Sequence, residues 1–78
     1  MEEYRERYRM LGLRIAFYRK KAGLTQEQFA DLVGCSMGFL SRIEANNGKK
    51  VSGISLPMLF RMADVLDISV CCFLEDSI

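Results

Sequence analysis

The sequence predicts an all-α fold, a compact bundle of five helices forming a single domain over residues 1–78. Apolar residues recur at the spacing of a helix face, and no segment alternates in the way that a strand would. Capping and turn residues separate the helical segments from one another. A chain of 78 residues also has room for only one hydrophobic core.

The first predicted helix carries apolar residues on two sides. One face is formed by Tyr4, Tyr8, Leu11, Ile15, Tyr18 and Ala22. A second stripe, Met10, Leu13 and Phe17, lies roughly opposite. Gly23 is expected to end this helix as a left-handed residue, following a last turn with three basic side chains that suit the helix dipole. A helix that is apolar on two sides must be covered twice or contact a partner.

The second and third helices are predicted from their caps. Thr25 and Gln28 have the spacing of a capping box, and the helix they open is expected to bury Phe29, Leu32 and Val33. Gly34 ends it. Ser36 is expected to cap the next helix, over residues 37–46, whose inner face carries Phe39, Leu40 and Ile43.

The remaining helices follow a loop at residues 46–54 that contains Asn-Gly and a second glycine. Ser55 is expected to cap the fourth helix, with Pro57 tolerated in its first turn. Its predicted apolar face consists of Leu56, Leu59, Phe60, Ala63 and Leu66. Ser69 is expected to start a short fifth helix over residues 70–75.

Composition argues against several classes of protein. The N-terminal MEEYRERYRM lacks the apolar core of a signal peptide, and no apolar run is long enough to span a membrane. The chain has no histidine, and Cys35, Cys71 and Cys72 lack the spacing of a zinc site. We therefore expect a cytoplasmic, bacterial or phage-type protein with no metal and no cofactor. The thiols are interpreted as reduced packing residues, with redox sensing by Cys71 and Cys72 as the alternative.

Enzymatic function is not expected. The sequence contains no pair of nucleophile and base, no metal constellation and no phosphate-binding loop, and the domain is too small for a large pocket. A small-molecule substrate is not expected either. The distribution of charge is more informative: residues 19–50 carry net charge +3 and residues 51–78 carry −3, although the whole chain is at +1. A basic central region of this kind can present a positive face to a polyanion.

The second and third helices are joined by a very short turn, Gly34-Cys35-Ser36. Such a turn makes the helices cross steeply, so a small residue is needed where they touch, and Ala30 is placed for that.

This pattern resembles the helix-turn-helix of the phage-repressor family, the Cro/Xre-like proteins. The resemblance rests on Phe29-Ala30, Val33-Gly34-Cys35, Leu40 and Ile43, with Leu24-Thr25-Gln26, Ser41-Arg42-Ile43-Glu44 and the run from Leu59 to Leu66 around them. It covers about residues 11–75, with residues 1–10 as an N-terminal extension of helix one. It implies a lambda-repressor-like DNA-binding domain whose third helix enters the major groove.

The resemblance also implies roles for particular residues. Base-reading residues would be Met37, Gly38, Ser41 and Arg42. Phosphate-contacting residues would be Gln26, Ser36, Asn46, Lys49 and Lys50. Arg19 and Glu44 match a structural ion pair between helices one and three. Arg42 is the best candidate for hydrogen-bonded readout of guanine, whereas Gly38 would allow close approach to DNA and Met37 could pack on a thymine methyl group.

The second apolar stripe leaves two alternatives open. Met10, Leu13 and Phe17 form either a homodimer interface or a surface that the C-terminal segment covers with Phe73, Leu74 and Ile78. The expected function is that of a sequence-specific, double-stranded-DNA-binding transcriptional regulator, a dimeric repressor of a palindromic operator. The alternative is a protein-interaction module or antitoxin-type protein that uses the same fold to hold a partner protein.

Overall fold

The computed structural model describes residues 4–45 and 53–75, and these residues form five α-helices and no strand. The helices are α1 (Arg5–Lys21), α2 (Gln26–Val33), α3 (Met37–Glu44), α4 (Leu56–Leu66) and α5 (Cys71–Leu74). Helix α1 packs against α3 and α5, and α2 packs against α3 and α4. The predicted all-α fold is confirmed. None of these helices is both long enough and apolar enough to serve as a bilayer span.

Three helices begin with the side-chain caps that the sequence predicts. The Thr25 hydroxyl accepts from the Gln28 backbone N–H at 3.1 Å, and the Gln28 side chain accepts from the Thr25 N–H at 2.9 Å. The hydroxyls of Ser36 and Ser55 each accept from the backbone N–H three residues later. Each cap satisfies one of the donors that a helix start leaves without an intrahelical partner.

Left-handed residues terminate the helices that precede the short connections. Gly23 has φ +78° and Gly34 has φ +85°, which agrees with the predicted stops. Asp67, which the sequence analysis did not identify as a stop, ends α4 at φ 56°. Aspartate tolerates this conformation better than most residues with a Cβ because its short polar side chain can hydrogen-bond locally.

One core lies between the helices. Its buried apolar residues are Leu11, Ile15, Phe29, Ala30, Val33, Leu40, Ile43, Leu59, Met62, Ala63, Leu66 and Phe73. Three predicted core residues are instead exposed: Leu32 by 60%, Leu56 by 61% and Phe60 by 49%. In α4 the buried stripe runs through Leu59 and Met62, so Leu56 and Phe60 lie on its flank. Leu32 lies beside the narrow stripe by which α2 contacts its neighbours.

The ends of the predicted first face also differ from expectation. Tyr4 and Ala22 are exposed because they flank α1 instead of lying within it, and the helix meets the core only between them. Arg14 is buried on α1, where its guanidinium donates to the Phe73 carbonyl at 3.3 Å. No pattern in the sequence predicted a role for this arginine.

The second apolar stripe of α1 is only partly covered. Leu13 and Phe17 are each 45% exposed, and Met10 is half-buried. Phe73, predicted to belong to this surface, is instead fully buried, with its ring edge-on to Tyr18 at 6.1 Å between centroids. Phe73 is a core residue because α5 packs on the side of α1 that faces the core. Ile78, the other predicted tail residue, lies outside the described residues.

Helices α1 and α3 come into contact at a glycine. A Cβ atom on Gly12 would overlap the carbonyl oxygen of Ile43 and would lie 3.4 Å from the Cα atom of Glu44. Both neighbours are backbone atoms of α3, so neither can move aside by changing a rotamer. The absence of a side chain at Gly12 therefore sets how closely α3 approaches α1.

Candidate nucleic-acid interface

The exposed face of α3 carries the four residues that were predicted to read bases. Met37, Gly38, Ser41 and Arg42 are all exposed, and Met37 is 50% exposed. On the opposite side of α3, Leu40 and Ile43 are buried in the core. The helix therefore divides sharply into an inner apolar face and an outer face that no described element covers.

Gly38 has no packing role within the described part of the chain. Its φ is not left-handed, and a Cβ built at this position would meet only the Arg42 Nη1 atom, at an ordinary 3.6 Å. Gly12 and Gly38 are thus helical glycines of opposite kinds. The first is required by its neighbours, and the second leaves open space on the outer face of α3.

A buried ion pair holds the end of α3 against α1. The Arg19 guanidinium donates to both carboxylate oxygens of Glu44, with Nε–Oε2 2.7 Å and Nη2–Oε1 2.9 Å. The two side chains are 8% and 6% exposed. Arg19 also donates to the Leu24 carbonyl at 2.8 Å. This two-pronged geometry fixes the guanidinium relative to the carboxylate, and with it the orientation of α3 relative to α1.

Glu44 also contacts the predicted phosphate-binding glutamine. The Gln26 side-chain amide donates to Glu44 Oε1 at 2.9 Å, so this one carboxylate oxygen accepts from both α1 and α2. Gln26 is the first residue of α2. Glu44 was predicted to be structural and Gln26 to contact phosphate, and nothing in the sequence connected the two residues. No local pattern could have shown the link, because it spans 18 residues of sequence.

The turn between α2 and α3 is supported from α4. The backbone N–H groups of Gly34 and Cys35 both donate to the Ala30 carbonyl, at 2.8 and 3.0 Å. Arg61 Nη1 donates to the Val33 carbonyl at 3.0 Å, which satisfies an acceptor at the end of α2. Ala30 is buried where the two helices cross, as predicted. Arg61 was not identified from the sequence.

The other predicted contacts are only partly described. Ser36 is exposed at the start of α3, where its hydroxyl serves as the helix cap. Asn46, Lys49 and Lys50 lie outside the described residues. Within residues 4–45 and 53–75, no group of three or more metal-ligating side chains is close enough to hold an ion.

The thiols do not form a common site. Cys35 and Cys72 are half-buried, and Cys71 is exposed. Burial raises the pKa of the Cys35 thiol, which disfavours its reactive thiolate. Burial raises the pKa of Tyr18, and the neighbouring Cys72 side chain raises it further.

The chain is similar to proteins whose sequences and structures are known. It is 34% identical over 67 residues to the HTH-type transcriptional regulator SinR of Bacillus subtilis (strain 168), covering 86% of this chain and 58% of SinR. This chain therefore matches little more than half the length of that relative. SinR of Bacillus licheniformis is also 34% identical over 67 residues.

Solved structures show the same similarity. The N-terminal DNA-binding domain of SinR from Bacillus subtilis superposes with a TM-score of 0.77 at 33% identity, covering 88% of this chain and 96% of that one. SinR in complex with DNA gives 0.74 at 34% identity, covering 83% and 98%. The restriction-modification controller protein C.AhdI from Aeromonas hydrophila gives 0.76 at 26% identity, covering 85% and 94%.

A family profile described as helix-turn-helix matches residues 15–71, well over half of the chain. This match includes α2, the short turn and α3, the elements that carry the resemblance seen in the sequence. The chain therefore belongs to the helix-turn-helix family, of the Cro/Xre-like kind.

Proposed function

We propose that this protein is a sequence-specific DNA-binding transcriptional regulator, acting as a dimeric repressor that reads the major groove with the outer face of α3. The observation that carries the proposal is this face itself. Four exposed residues, including a glycine without a packing role, lie on a helix that is held in place by a buried ion pair. SinR, a relative named as a transcriptional regulator, has been solved in complex with DNA.

The proposed readout combines hydrogen bonds with shape. Arg42 can donate two hydrogen bonds to guanine O6 and N7, which is worth about 1–3 kcal/mol of discrimination against another base. Ser41 can donate to a base edge or a phosphate. Gly38 leaves space for a thymine methyl group or for closer approach of the helix, and Met37 offers an apolar contact.

The proposed phosphate contact depends on the network beneath α3. Gln26 uses one amide N–H for Glu44, and its second N–H remains available as a donor because a side-chain amide carries two. Gln26 also stands at the start of α2, where backbone N–H groups and the helix dipole favour an anion. The contact to Glu44 would hold the amide in place before DNA arrives, which reduces the entropy lost on binding.

Selection of bound duplexes from a random library tests the proposal. The wild-type protein should enrich a palindromic sequence, and Arg42→Ala should lose the preference at one position of each half-site. Arg9→Ala is a matched control because it removes the same charge from α1, where Arg9 pairs with Glu6. If wild type and Arg42→Ala enrich the same sequences to the same extent, α3 does not read DNA through Arg42.

A protein-interaction module remains the second candidate, and one observation favours it. Leu13 and Phe17 leave apolar surface exposed on α1, and SinR has also been solved in a complex with the protein SinI. Salt dependence separates the two functions. Binding to DNA should weaken steeply as salt rises, because counterions are released from phosphates, whereas an apolar protein contact should not.

A further inference from the structure

Gly38 and Arg42 are neighbours on the outer face of α3. They lie four residues apart, and residues at this spacing stand one above the other on the surface of a helix. The Arg42 Nη1 atom is 3.6 Å from the position that a Cβ atom on Gly38 would occupy. The arginine side chain therefore runs back along α3, and its guanidinium ends over the first turn, in the space that the glycine leaves.

The direction of the Arg42 side chain follows from the geometry of a helix. The Cα–Cβ bonds tilt toward the N-terminus, so a long side chain covers the turn that precedes its own Cα atom. Arg42 belongs to the last turn of α3, and Gly38 lies about 6 Å nearer the start of the helix, because each of four residues rises about 1.5 Å. The start of a recognition helix is the part that meets base edges. The side chain thus carries its charge from the end of α3 to that start.

The size of residue 38 decides whether the guanidinium can lie there. A methyl group at this position would meet the Arg42 Nη1 atom at an ordinary van der Waals distance, so alanine leaves the arrangement intact. A side chain with a γ-carbon would extend into the volume that the guanidinium occupies. Among the residues that the structure describes, no hydrogen bond or ion pair holds the Arg42 side chain elsewhere. A larger residue at position 38 would therefore turn this side chain away from the first turn.

We propose that Gly38 is a positioning residue for DNA reading, because its lack of a side chain places the Arg42 guanidinium over the first turn of α3, where the guanidinium reads guanine. The inference rests on the proposed function and deepens it, since it states which part of α3 the arginine serves. Holding the guanidinium at that place before DNA arrives reduces the side-chain entropy lost on binding. Gly38 and Arg42 then address the same base pair, although they belong to different turns of the helix.

Selection of bound duplexes from a random library measures the effect of residue 38 on Arg42. Gly38→Leu introduces a γ-branched side chain without a hydrogen-bonding group, and Gly38→Ala is the matched control. At the position where Arg42→Ala loses the guanine preference, Gly38→Leu should lower that preference at least about 10-fold, whereas Gly38→Ala should keep it. A uniform loss of affinity does not affect this comparison, because the comparison is between bases at one position. An unchanged preference in Gly38→Leu, or an equal loss in Gly38→Ala, would overturn the proposal.

A double-mutant cycle separates positioning from an independent contact with DNA. If Gly38 acts through Arg42, Gly38→Leu should not change the base preference at that position in a protein that already carries Arg42→Ala. A change as large as the one in the wild-type background would contradict this coupling. Leucine and alanine are both better helix formers than glycine, so both variants should melt at or above the wild-type temperature. A Gly38→Leu variant that melts below wild type would assign the effect to folding and overturn the positioning role.

Nuclear magnetic resonance on the free protein tests the placement without DNA. A nuclear Overhauser effect should connect the Gly38 α-protons with the side-chain protons of Arg42, and Gly38→Leu should shift the Arg42 Nε–H resonance. If neither is observed, the guanidinium does not lie over Gly38, whatever the variant does to DNA binding. Failure of this inference is distinct from failure of the proposed function. A protein in which Arg42→Ala loses the guanine preference and Gly38→Leu keeps it refutes the placement alone.

Discussion

Replacing Gly12 by alanine should destabilise the protein, although alanine is the better helix former. The added Cβ would overlap the Ile43 carbonyl oxygen and crowd the backbone of Glu44. Because both neighbours belong to the α3 backbone, α3 must move away from α1 as a unit. That movement would disturb the packing of Leu11 and Ile15, which are buried nearby on α1.

The net effect is the difference between two terms. Inserting a methyl group into a tightly packed site costs about 1–3 kcal/mol, and a clash between backbones belongs at the upper end. Replacing glycine by alanine in a helix interior contributes about 1 kcal/mol in the opposite direction. The free energy of unfolding should therefore fall by about 2 kcal/mol, which lowers the melting temperature by roughly 8–16 °C in a domain of this size.

Urea unfolding followed by far-ultraviolet circular dichroism measures this change, with Gly38→Ala as the matched control. The same substitution on the outer face of α3 meets only the end of the Arg42 side chain. It should leave stability unchanged or raise it by at most about 1 kcal/mol. A packing requirement at Gly12 is refuted if Gly12→Ala unfolds at the same urea concentration as wild type, or if both variants shift the unfolding midpoint in the same direction.

Three further outcomes follow from the surroundings of Glu44, Arg61 and Cys35. Glu44→Ala leaves its buried arginine partner without a counter-charge and should cost about 3–5 kcal/mol in urea unfolding; a loss below 1 kcal/mol would contradict the ion pair's proposed role. Arg61→Ala removes the hydrogen bond to the Val33 carbonyl and should cost about 0.5–1.5 kcal/mol. A change in melting temperature too small to detect would argue against this support of the turn. Burial raises the pKa of the Cys35 thiol, so less of this thiol is in the thiolate form near neutral pH. We expect Cys35, which is half-buried, to be alkylated more slowly than Cys71, which is exposed, and peptide mass spectrometry measures both rates. Equal rates would contradict that environment.

The helix ends show how far local sequence determines structure. Thr25, Ser36 and Ser55 cap helices with hydrogen bonds to residues only three positions away, so the partners are visible in the sequence itself. Gly23 and Gly34 adopt the left-handed conformation that their place after a helical segment predicts. The short turn and its flanking residues were also enough to indicate the family.

Burial within each helix was less predictable. Periodicity identifies an apolar side of α4 but cannot distinguish Phe60, which is exposed, from Met62, which is fully buried. The buried side of α4 runs through Leu59, Met62 and Leu66, and the packing of α2 against α4 decides that this side is covered. Leu32 is exposed for a related reason: the helices packed against α2 cover only the stripe formed by Phe29, Ala30 and Val33.

The sequence alone determined most of the helix ends, the short turn between α2 and α3, and the residues that face outward on α3. The tertiary structure decided how that face is held. Because Gly12 has no side chain, the backbone of α3 can pack directly against α1. Glu44 accepts hydrogen bonds from Arg19 and Gln26, which lie 25 and 18 residues away in the sequence. Local patterns cannot encode these contacts because each partner is placed by a different helix. The proposed DNA-reading surface therefore consists of residues that the sequence exposes and of an orientation that only packing provides.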